Sequence, residues 1–355
     1  MAIERDRAEI LSGVRRGETL GGPIGLVIRN RDWDNWQFTM SVEADPPASL
    51  GGARRGPVTR PRPGHADLAG GLKYGRHDLR DVLERASARE TAARVAAGGI
   101  ARQLLRRFGI EIASHVIQVG GASVADPLAV AFDRIRALRE DDDVRCVDAE
   151  IADAMRRAVD AARLAGDTVG GAFEVVAHAV PVGLGSYAQW DRKLDGRLAQ
   201  ALMSIPAIKA VGFGRAAAVG GLPGSRVHDE ILPGSPSGTV PGLRRPTNNA
   251  GGLEGGVTNG EDIRATAWMK PISTLMKPLR SVDLTTMTEA AATIERSDVC
   301  AVPAAAVVGE AVVALVLADA FLERFGGDTV DDVEAAWRRA AAGLATRLTP
   351  GSGTT

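Results

Sequence analysis

Residues 148–180 read DAEIADAMRRAVDAARLAGDTVGGAFEVVAHAV, and the hydrophobic period changes within this stretch. From 148 to 166 the apolar residues follow the i, i+4, i+7 spacing of an amphipathic helix, and Gly166 is suited to end it. From 173 to 180 apolar and other residues alternate, as in a strand with one face more buried than the other. The stretch therefore predicts a helix that leads directly into a strand.

The rest of the chain extends this mixed pattern. A short strand is predicted at 24–28 and an irregular loop rich in Gly, Pro and Arg at 47–66. Further helices are predicted at 84–108, 194–205, 304–325 (with Pro303 at its first position) and 331–348. Because helices do not alternate one-for-one with strands, we expect an α+β layered fold rather than a doubly wound parallel sheet. We expect one domain over 1–348 and a disordered tail over 349–355.

Composition limits the classes of function. The chain has 355 residues, with 43 Lys plus Arg against 44 Asp plus Glu, so its net charge gives no case for a nucleic-acid or membrane partner. The longest apolar run, 301–320, is broken by Pro303, Gly309 and Glu310, which predicts a core helix and not a membrane span. Cys146 and Cys300 lack metal-type spacing, so we expect no metal site, no disulfide framework and a cytoplasmic protein.

The first candidate site is the segment 59–67, Thr-Arg-Pro-Arg-Pro-Gly-His-Ala-Asp. Two prolines stiffen the backbone and Gly64 frees it just before His65. A histidine held beside Arg60 and Arg62 could move a proton next to a bound anion. A surface turn with solvated arginines remains the alternative.

Three further segments could bind an anion or a flat ligand. Residues 84–91 could form a capped helix start with Arg85 and Arg89 one turn apart, or an ordinary capped helix. The glycine-rich residues 249–260, followed by Lys270, Ser273 and Thr274, could approach a phosphate or form tight turns. Asp298, just before the longest apolar helix, could accept a proton or cap the next turn.

Taken together and in this order, the segments resemble chorismate synthases of the bacterial single-function type. The landmarks span nearly the whole chain and lie at 10–14, 62–67, 73–75, 85–94, 166–171, 183–186, 193–195, 224–225, 228–230, 251–256, 270–274 and 296–303. The resemblance implies a β-α-β sandwich, usually a homotetramer. It also implies conversion of 5-enolpyruvylshikimate 3-phosphate to chorismate and phosphate by a 1,4-anti elimination that requires reduced FMN.

The resemblance also assigns roles to single residues. His65 matches the histidine thought to protonate the reduced flavin, and Asp298 matches the carboxylate that helps to remove the C6 proton. Arg62 resembles a contact to a substrate anion. The flavin contacts that it implies are Arg85, Ala86, Ser87, Pro206, Ala207, Gly255, Lys270, Pro271, Ile272, Ser273, Thr274 and Arg296. No reductase domain is evident, so an external source of reduced FMN is expected.

The sequence departs from the family pattern in several places, and two of these departures bear on site residues. A Gly-Glu-Ser-His-Gly motif, with the second catalytic histidine, and a following segment with two arginines, linked to substrate and to NADP, do not occur in it. Pro206 stands where the family has Asn or Gln, and proline has no side-chain donor. Two readings stay open: an active chorismate synthase whose recorded start is misplaced, or an N-terminally truncated homologue that binds FMN but is catalytically impaired.

Overall fold

The structure is a computed structural model, and it describes residues 6–86, 89–295 and 297–348. The chain divides into two compact units. The first comprises Met1–Ala96 and Pro278–Glu295, and the second comprises Ala97–Lys277 and Arg296–Thr355.

The elements mix helices and strands along the whole chain. The helices are α1 Asp67–Tyr74, α2 Arg80–Arg85, α3 Arg89–Arg107, α4 Phe132–Arg136, α5 Ala149–Ala165, α6 Leu194–Met203, α7 Val302–Phe325 and α8 Val330–Arg347. The strands are β1 Ala8–Ser12, β2 Val14–Arg15, β3 Glu18–Thr19, β4 Gly25–Ile28, β5 Glu111–Val119, β6 Ala122–Ser123, β7 Gly171–His178, β8 Ile208–Phe213, β9 Leu232–Pro233, β10 Leu243–Arg244, β11 Leu253–Glu254, β12 Val257–Thr258, β13 Ile263–Met269, β14 Arg280–Asp283 and β15 Thr288–Ala291. The predicted α+β class is confirmed.

A five-stranded antiparallel sheet forms the centre of the second unit. Its strand order is β6-β5-β7-β13-β8. β13 pairs with β7 from Ile263 opposite Ala177 to Met269 opposite Gly171. This register places residue 270, directly after β13, at the edge where β7 begins.

Helix α7 packs on one face of this sheet. A Cβ atom on its Gly309 would lie 2.6 Å from Cε2 of Phe173, and one on Gly98 of α3 would lie 2.5 Å from Cβ of Ala311. These glycines permit close approach of α7 to β7 and to α3. Of the described helices, α7 alone is long and apolar enough to cross a membrane, but 72% of its apolar window is buried. That burial agrees with the predicted core helix.

The opposite face of the sheet is covered as well. Phe132 and Ile135 of α4 form a buried cluster with Val176 of β7 and Ala113 of β5. All of β7 between its first and last residue is therefore buried. The prediction that one face of this strand would be more buried was wrong, because α7 and α4 cover it from opposite sides.

Two buried charged groups lie on opposite faces of β5. His115 Nε2 and Arg264 Nη2 lie 3.0 and 2.8 Å from Oε2 of Glu174, all three being almost fully buried. On the other face, Ser114 Oγ donates to Glu310 Oε1 of α7 at 2.7 Å. Buried charges are tolerated when they are paired in this way.

In the first unit, the hairpin β14–β15 supports the segment before His65. Leu284 N donates to Thr59 O at 3.0 Å, Thr293 Oγ1 donates to Arg60 O at 2.8 Å, and Ser281 Oγ donates to Pro61 O at 2.5 Å. The segment thus has little freedom in its backbone. The predicted irregular loop at 47–66 is confirmed, because no helix or strand occurs between β4 and α1 apart from a short 3₁₀ turn at Trp33–Asn35.

The predicted helices and strands match with adjusted ends. α5 has Asp148 as its N-cap and Gly166 as its left-handed terminal residue, and α7 begins with Pro303 in its first turn. The helix predicted over 84–108 is instead two helices, since α2 ends at Arg85 and α3 starts at Arg89. The capping box predicted at Ser87, and the tail 349–355, lie outside the described residues.

Candidate active site

His65 lies in a four-residue turn of the first unit. His65 N donates to Arg62 O at 3.2 Å, Pro63 is the second residue of the turn, and Gly64 is the third with φ of 78°. Proline followed by a residue with positive φ is the signature of a type II turn. The turn therefore fixes the backbone that carries the imidazole, as the Pro-Gly-His order predicts.

Asp67, the first residue of α1, binds both Arg62 and His65. Its side chain is fully buried. Oδ2 accepts from Arg62 Nε at 2.9 Å and from Arg62 N at 3.0 Å, while Oδ1 lies 2.6 Å from Nδ1 of His65. Burial alone raises the pKa of Asp67, but the hydrogen bonds from His65 and Arg62 outweigh it and hold this pKa well below its usual range. Asp67 is a carboxylate at neutral pH.

Arg62 is placed differently from a solvated anion-binding arginine. Its side chain is only 7% exposed, and its guanidinium forms an ion pair with Asp67. Nη2 lies 3.1 Å from Nδ1 and 3.2 Å from Nε2 of His65. The charge of Arg62 is thus matched inside the chain, so its role as a substrate contact stays a prediction without support from this geometry.

In the second unit, Pro206 and Ala207 form another tight turn between α6 and β8. Ile208 N donates to Ile205 O at 3.2 Å, and Ala207 has φ of 68°. Ala207 O accepts from Lys270 N at 3.0 Å. The structure therefore brings the predicted pair 206–207 next to the predicted segment 270–274.

Lys270 is the cation of this group. Its ammonium lies 3.0 Å from Oγ of Ser273, and Thr274 is buried. Burial, and then the neighbouring charge of Lys209, lower the pKa of Lys270. Lys270 and Lys209 are close enough for their positive charges to repel each other, and hydroxyl groups lie beside Lys270. Ammonium and hydroxyl donors of this kind are suited to binding a phosphate.

The loop between α5 and β7, residues 166–170, ties the predicted segments together. Thr168 Oγ1 donates to Ile272 O at 2.6 Å, and Val169 N donates to Val299 O at 3.0 Å. A Cβ atom on Gly170 would lie 2.4 Å from Met269 O. The loop thus holds the backbone of 270–274 and the residue that follows Asp298.

Asp298 is exposed and lies close to this loop through its neighbour Val299. It does not cap α7, whose N-cap is Ala301, so the alternative of a simple cap at the start of α7 is not supported. An exposed carboxylate beside the loop that also holds residues 270–274 could accept a proton from a bound molecule. Arg296 lies outside the described residues.

Gly255 lies at the opposite end of β13 from Lys270. It is in the turn between β11 and β12, and this hairpin adjoins the start of β13, where Arg264 N donates to Gly251 O at 3.2 Å. A seven-residue strand is about 23 Å long. Within one chain the structure does not bring Gly255 together with 270–274, and the positive φ values of Gly255 and Gly256 support the tight-turn alternative.

The predicted residues Arg85 and Ala86 end helix α2 in the first unit. Ala86 is exposed, and its N–H donates to Val82 O. Ser87 lies outside the described residues. Arg89, the other arginine of this predicted cluster, is bound to Asp6 at 2.8 Å and to Asn30 at 3.1 Å.

Residues that sequence reasoning missed hold the predicted ones in place. Asp67 lies in the segment 59–67 and Thr168 in the segment 166–171, but the sequence assigned no role to either residue. The partner of Thr168 could not be read from spacing, because Thr168 meets Ile272 across 104 positions. The partners of Asp67 are close in sequence, but its burial, which selects them over solvent, does not show in the spacing. In the described part of the chain, no three His, Cys, Asp or Glu residues are grouped as a metal site.

The chain is similar to known proteins over most of its length. A family model described as chorismate synthase matches residues 1–322. Chorismate synthase of Moorella thermoacetica is 58% identical over 329 residues, which cover 92% of this chain and 82% of that protein. The Geobacter sulfurreducens enzyme of the same name is 54% identical over 336 residues, covering 94% and 84%.

A solved structure supports the same assignment at the level of the fold. It is described as a crystal structure of chorismate synthase, and it matches with a TM-score of 0.74 at 40% sequence identity. The match covers 96% of this chain and 85% of the other.

Proposed function

Because this chain belongs to the chorismate synthase family, we propose that it carries out the family's elimination with reduced FMN and with His65 and Asp298 as its proton-handling residues. The enzyme is a lyase that converts 5-enolpyruvylshikimate 3-phosphate to chorismate and phosphate. This is the last step of the shikimate pathway, which supplies aromatic amino acid biosynthesis. The observation that carries the residue assignment is the 2.6 Å contact between His65 and the buried Asp67.

His65 is the proposed acid–base group of the first unit. Asp67 binds its Nδ1, and the Pro63–Gly64 turn fixes its backbone. A histidine whose Nδ1 donates to a carboxylate can take a proton at Nε2, and the ring protonated there can give that proton up again. In the family's chemistry that proton goes to the reduced flavin.

Lys270, Ser273 and Thr274 are the proposed anion-binding group of the second unit. Burial lowers the pKa of Lys270 by penalising its charged form, and a bound phosphate would offset that cost. The residues present therefore fit the phosphate of FMN. The backbone of Pro206 and Ala207 adjoins this group through Lys270 N.

Asp298 is the proposed base of the elimination. In the reaction the C3–O bond breaks, phosphate leaves with the electron pair, and the hydrogen at C6 is lost as a proton. Reduced FMN, when bound, would supply electron density that assists the breaking of the C–O bond. An exposed carboxylate is free to receive that proton.

The wider setting of the enzyme is part of the proposal. We expect a cytoplasmic homotetramer that takes reduced FMN from an external source, acts on a small-molecule substrate and needs no metal. NADP is associated with a family segment whose motif was not found in the sequence, so we assign it no residue.

Turnover by the purified chain tests the reaction. Anaerobic incubation with 5-enolpyruvylshikimate 3-phosphate and dithionite-reduced FMN should release chorismate and phosphate in equal amounts, both quantified after chromatography. Chorismate should not form with oxidised FMN. A correctly folded chain that binds FMN and releases no chorismate would overturn the proposal in favour of the impaired homologue.

Lys270→Met tests the anion-binding group without reference to turnover. Removing a charge-assisted hydrogen bond costs about 1.5–3 kcal/mol, which corresponds to a rise of roughly 10–150-fold in the Kd for FMN. Fluorescence titration of FMN measures this constant directly. The control is Lys73→Met, an exposed lysine of α1, which should leave the Kd unchanged; equal constants for the Lys270 variant and the original chain would remove Lys270 from the site.

A further inference from the structure

We propose that Asp67 is a positioning residue for His65: it selects the tautomer with the proton on Nδ1, so that Nε2 is the nitrogen that exchanges the proton in catalysis. This inference rests on the proposed role of His65. It goes further by naming the reacting atom and the residue that chooses it.

The contacts of Asp67 divide between its two oxygens. Oδ2 accepts two hydrogen bonds from Arg62, one from Nε and one from the backbone N. Oδ1 faces Nδ1 of His65 at 2.6 Å. A carboxylate can only accept hydrogen bonds, so Nδ1 must carry a proton to make this contact.

Arg62 does not make the same choice. Its Nη2 lies at almost equal distances, 3.1 and 3.2 Å, from Nδ1 and Nε2. A donor placed evenly between the two nitrogens favours neither tautomer. Arg62 instead holds Asp67 as a buried carboxylate, and Asp67 discriminates between the nitrogens because it contacts Nδ1.

The surroundings keep this arrangement in one geometry. Asp67 is fully buried at the first position of α1, where the helix dipole favours a negative charge. The type II turn sets the distance between Arg62 and His65. Because Asp67 occupies Nδ1, proton exchange is left to Nε2, which Arg62 Nη2 approaches to 3.2 Å in this structure.

The tautomer can be observed in the unmodified protein. With ¹⁵N-labelled histidine, the neutral ring of His65 should show a pyrrole-type signal for Nδ1 and a pyridine-type signal for Nε2. The spectrum of His65→Gln assigns the signals among the five histidines. A protonated Nε2 and a bare Nδ1 in the neutral ring would overturn the inference, and this result does not depend on any variant of Asp67 folding.

Asp67→Asn should reverse the tautomer. Two Arg62 donors require an acceptor at the position of Oδ2, so the amide oxygen takes that place and the NH₂ group faces Nδ1 of His65. Nδ1 must then accept, and the proton moves to Nε2. We expect the pyridine-type ¹⁵N signal to move to Nδ1 and kcat to fall by roughly 10²–10⁴-fold, as for loss of an acid–base group.

The control is Asp81→Asn, an exposed aspartate in the same unit, which should change neither the ¹⁵N spectrum of His65 nor kcat. If Asp67→Asn folds and keeps the original tautomer, the inference fails even when the original chain forms chorismate. If the original chain forms no chorismate but shows the Nδ1-protonated ring, the proposed function fails and the selection of the tautomer stands.

Discussion

Single residues of the candidate site are fixed by two turns of the same kind. In both, proline precedes a residue with positive φ, Gly64 in one and Ala207 in the other. Glycine adopts that conformation freely, but alanine does so at a cost of about 1 kcal/mol. Ala207 keeps this unfavourable backbone conformation, which indicates that the surrounding structure holds it in place. Its carbonyl oxygen, which accepts from Lys270 N, is held with it.

His178, at the end of β7, gives stability that depends on pH. Its Nδ1 lies 2.7 Å from Asp262, and its ring stacks on Phe132 with centroids 4.7 Å apart. The hydrogen bond to Asp262 raises the pKa of His178 against the opposing effect of burial, and the acids Asp133 and Glu111 add to the rise. A raised pKa means that the folded state binds the proton more tightly than the unfolded state.

The stabilisation by His178 is therefore complete below its unfolded pKa of about 6.5 and is lost as pH rises through the higher folded value. The free energy of unfolding of the original chain, minus that of His178→Gln, should be larger at about pH 5.5 than at about pH 9. Urea unfolding at both values measures the difference. In the background of Asp262→Asn this pH dependence should largely disappear, and a difference that is flat with pH in the original background would contradict the account.

At the scale of elements, helix α3 contains two neighbouring glycines, Gly98 and Gly99, that differ in how closely α7 approaches them. A Cβ atom on Gly98 would lie 2.5 Å from Cβ and 2.6 Å from Cα of Ala311, whereas one on Gly99 would meet nothing within 4 Å. Gly98→Ala should destabilise the protein by about 1–3 kcal/mol, because α7 cannot move away from the sheet. Gly99→Ala should stabilise it by roughly 0.5–1 kcal/mol, since alanine favours a helix interior.

Urea denaturation of both variants measures the two free energies of unfolding. Each substitution adds one methyl group to the same helix, so the comparison isolates packing against α7. Equal effects of the two substitutions would show that the contact between α3 and α7 yields more readily than the structure indicates.

Elements differ in how far the sequence predicts them. Helix α5 was predictable in both its ends because Asp148 and Gly166 act locally, on residues within one turn. The central strands β5 and β13 were not predicted. Their polar residues Ser114 and Arg264 interrupt the apolar pattern, and both are buried only because Glu310 and Glu174 meet them from positions 196 and 90 residues away.

The candidate site follows the same rule. The turn that carries His65 could be read from Pro63 and Gly64, which determine the backbone locally. The hydrogen-bond partner of His65 was harder to predict. Its imidazole could bind solvent, substrate or Asp67, and the burial of Asp67, which decides this, cannot be read from the local sequence. The neighbourhood of 206–207 and 270–274 is set by the pairing of β8 with β13, which local spacing does not reveal.

At the scale of the whole molecule, several large apolar side chains are exposed in the isolated chain. Tyr187 and Trp190 are each 82% exposed and Leu72 is 74% exposed. Apolar side chains that form a contiguous exposed patch are typical of surfaces that bind a partner. We therefore expect part of this set to be covered by neighbouring chains in the proposed homotetramer.

Light scattering coupled to size-exclusion chromatography tests this proposal. The mass should be four times the 37.1 kDa of one chain and constant over a tenfold range of concentration. Hydrogen exchange at the backbone around Tyr187 and Trp190 should be slower than their exposure in one chain suggests. A particle with the mass of a single chain would rule the tetramer out.

The buried group formed by Glu174, His115 and Arg264 has a consequence for how the sheet assembles. Its members come from β7, β5 and β13, and His115 and Glu174 are direct partners in the register of β5 and β7. A slip of either neighbouring strand by one residue would turn a charged side chain to the other face and leave its counter-ion alone in an apolar layer. The buried charges therefore favour the native alignment of β5, β7 and β13 over alignments shifted by one residue.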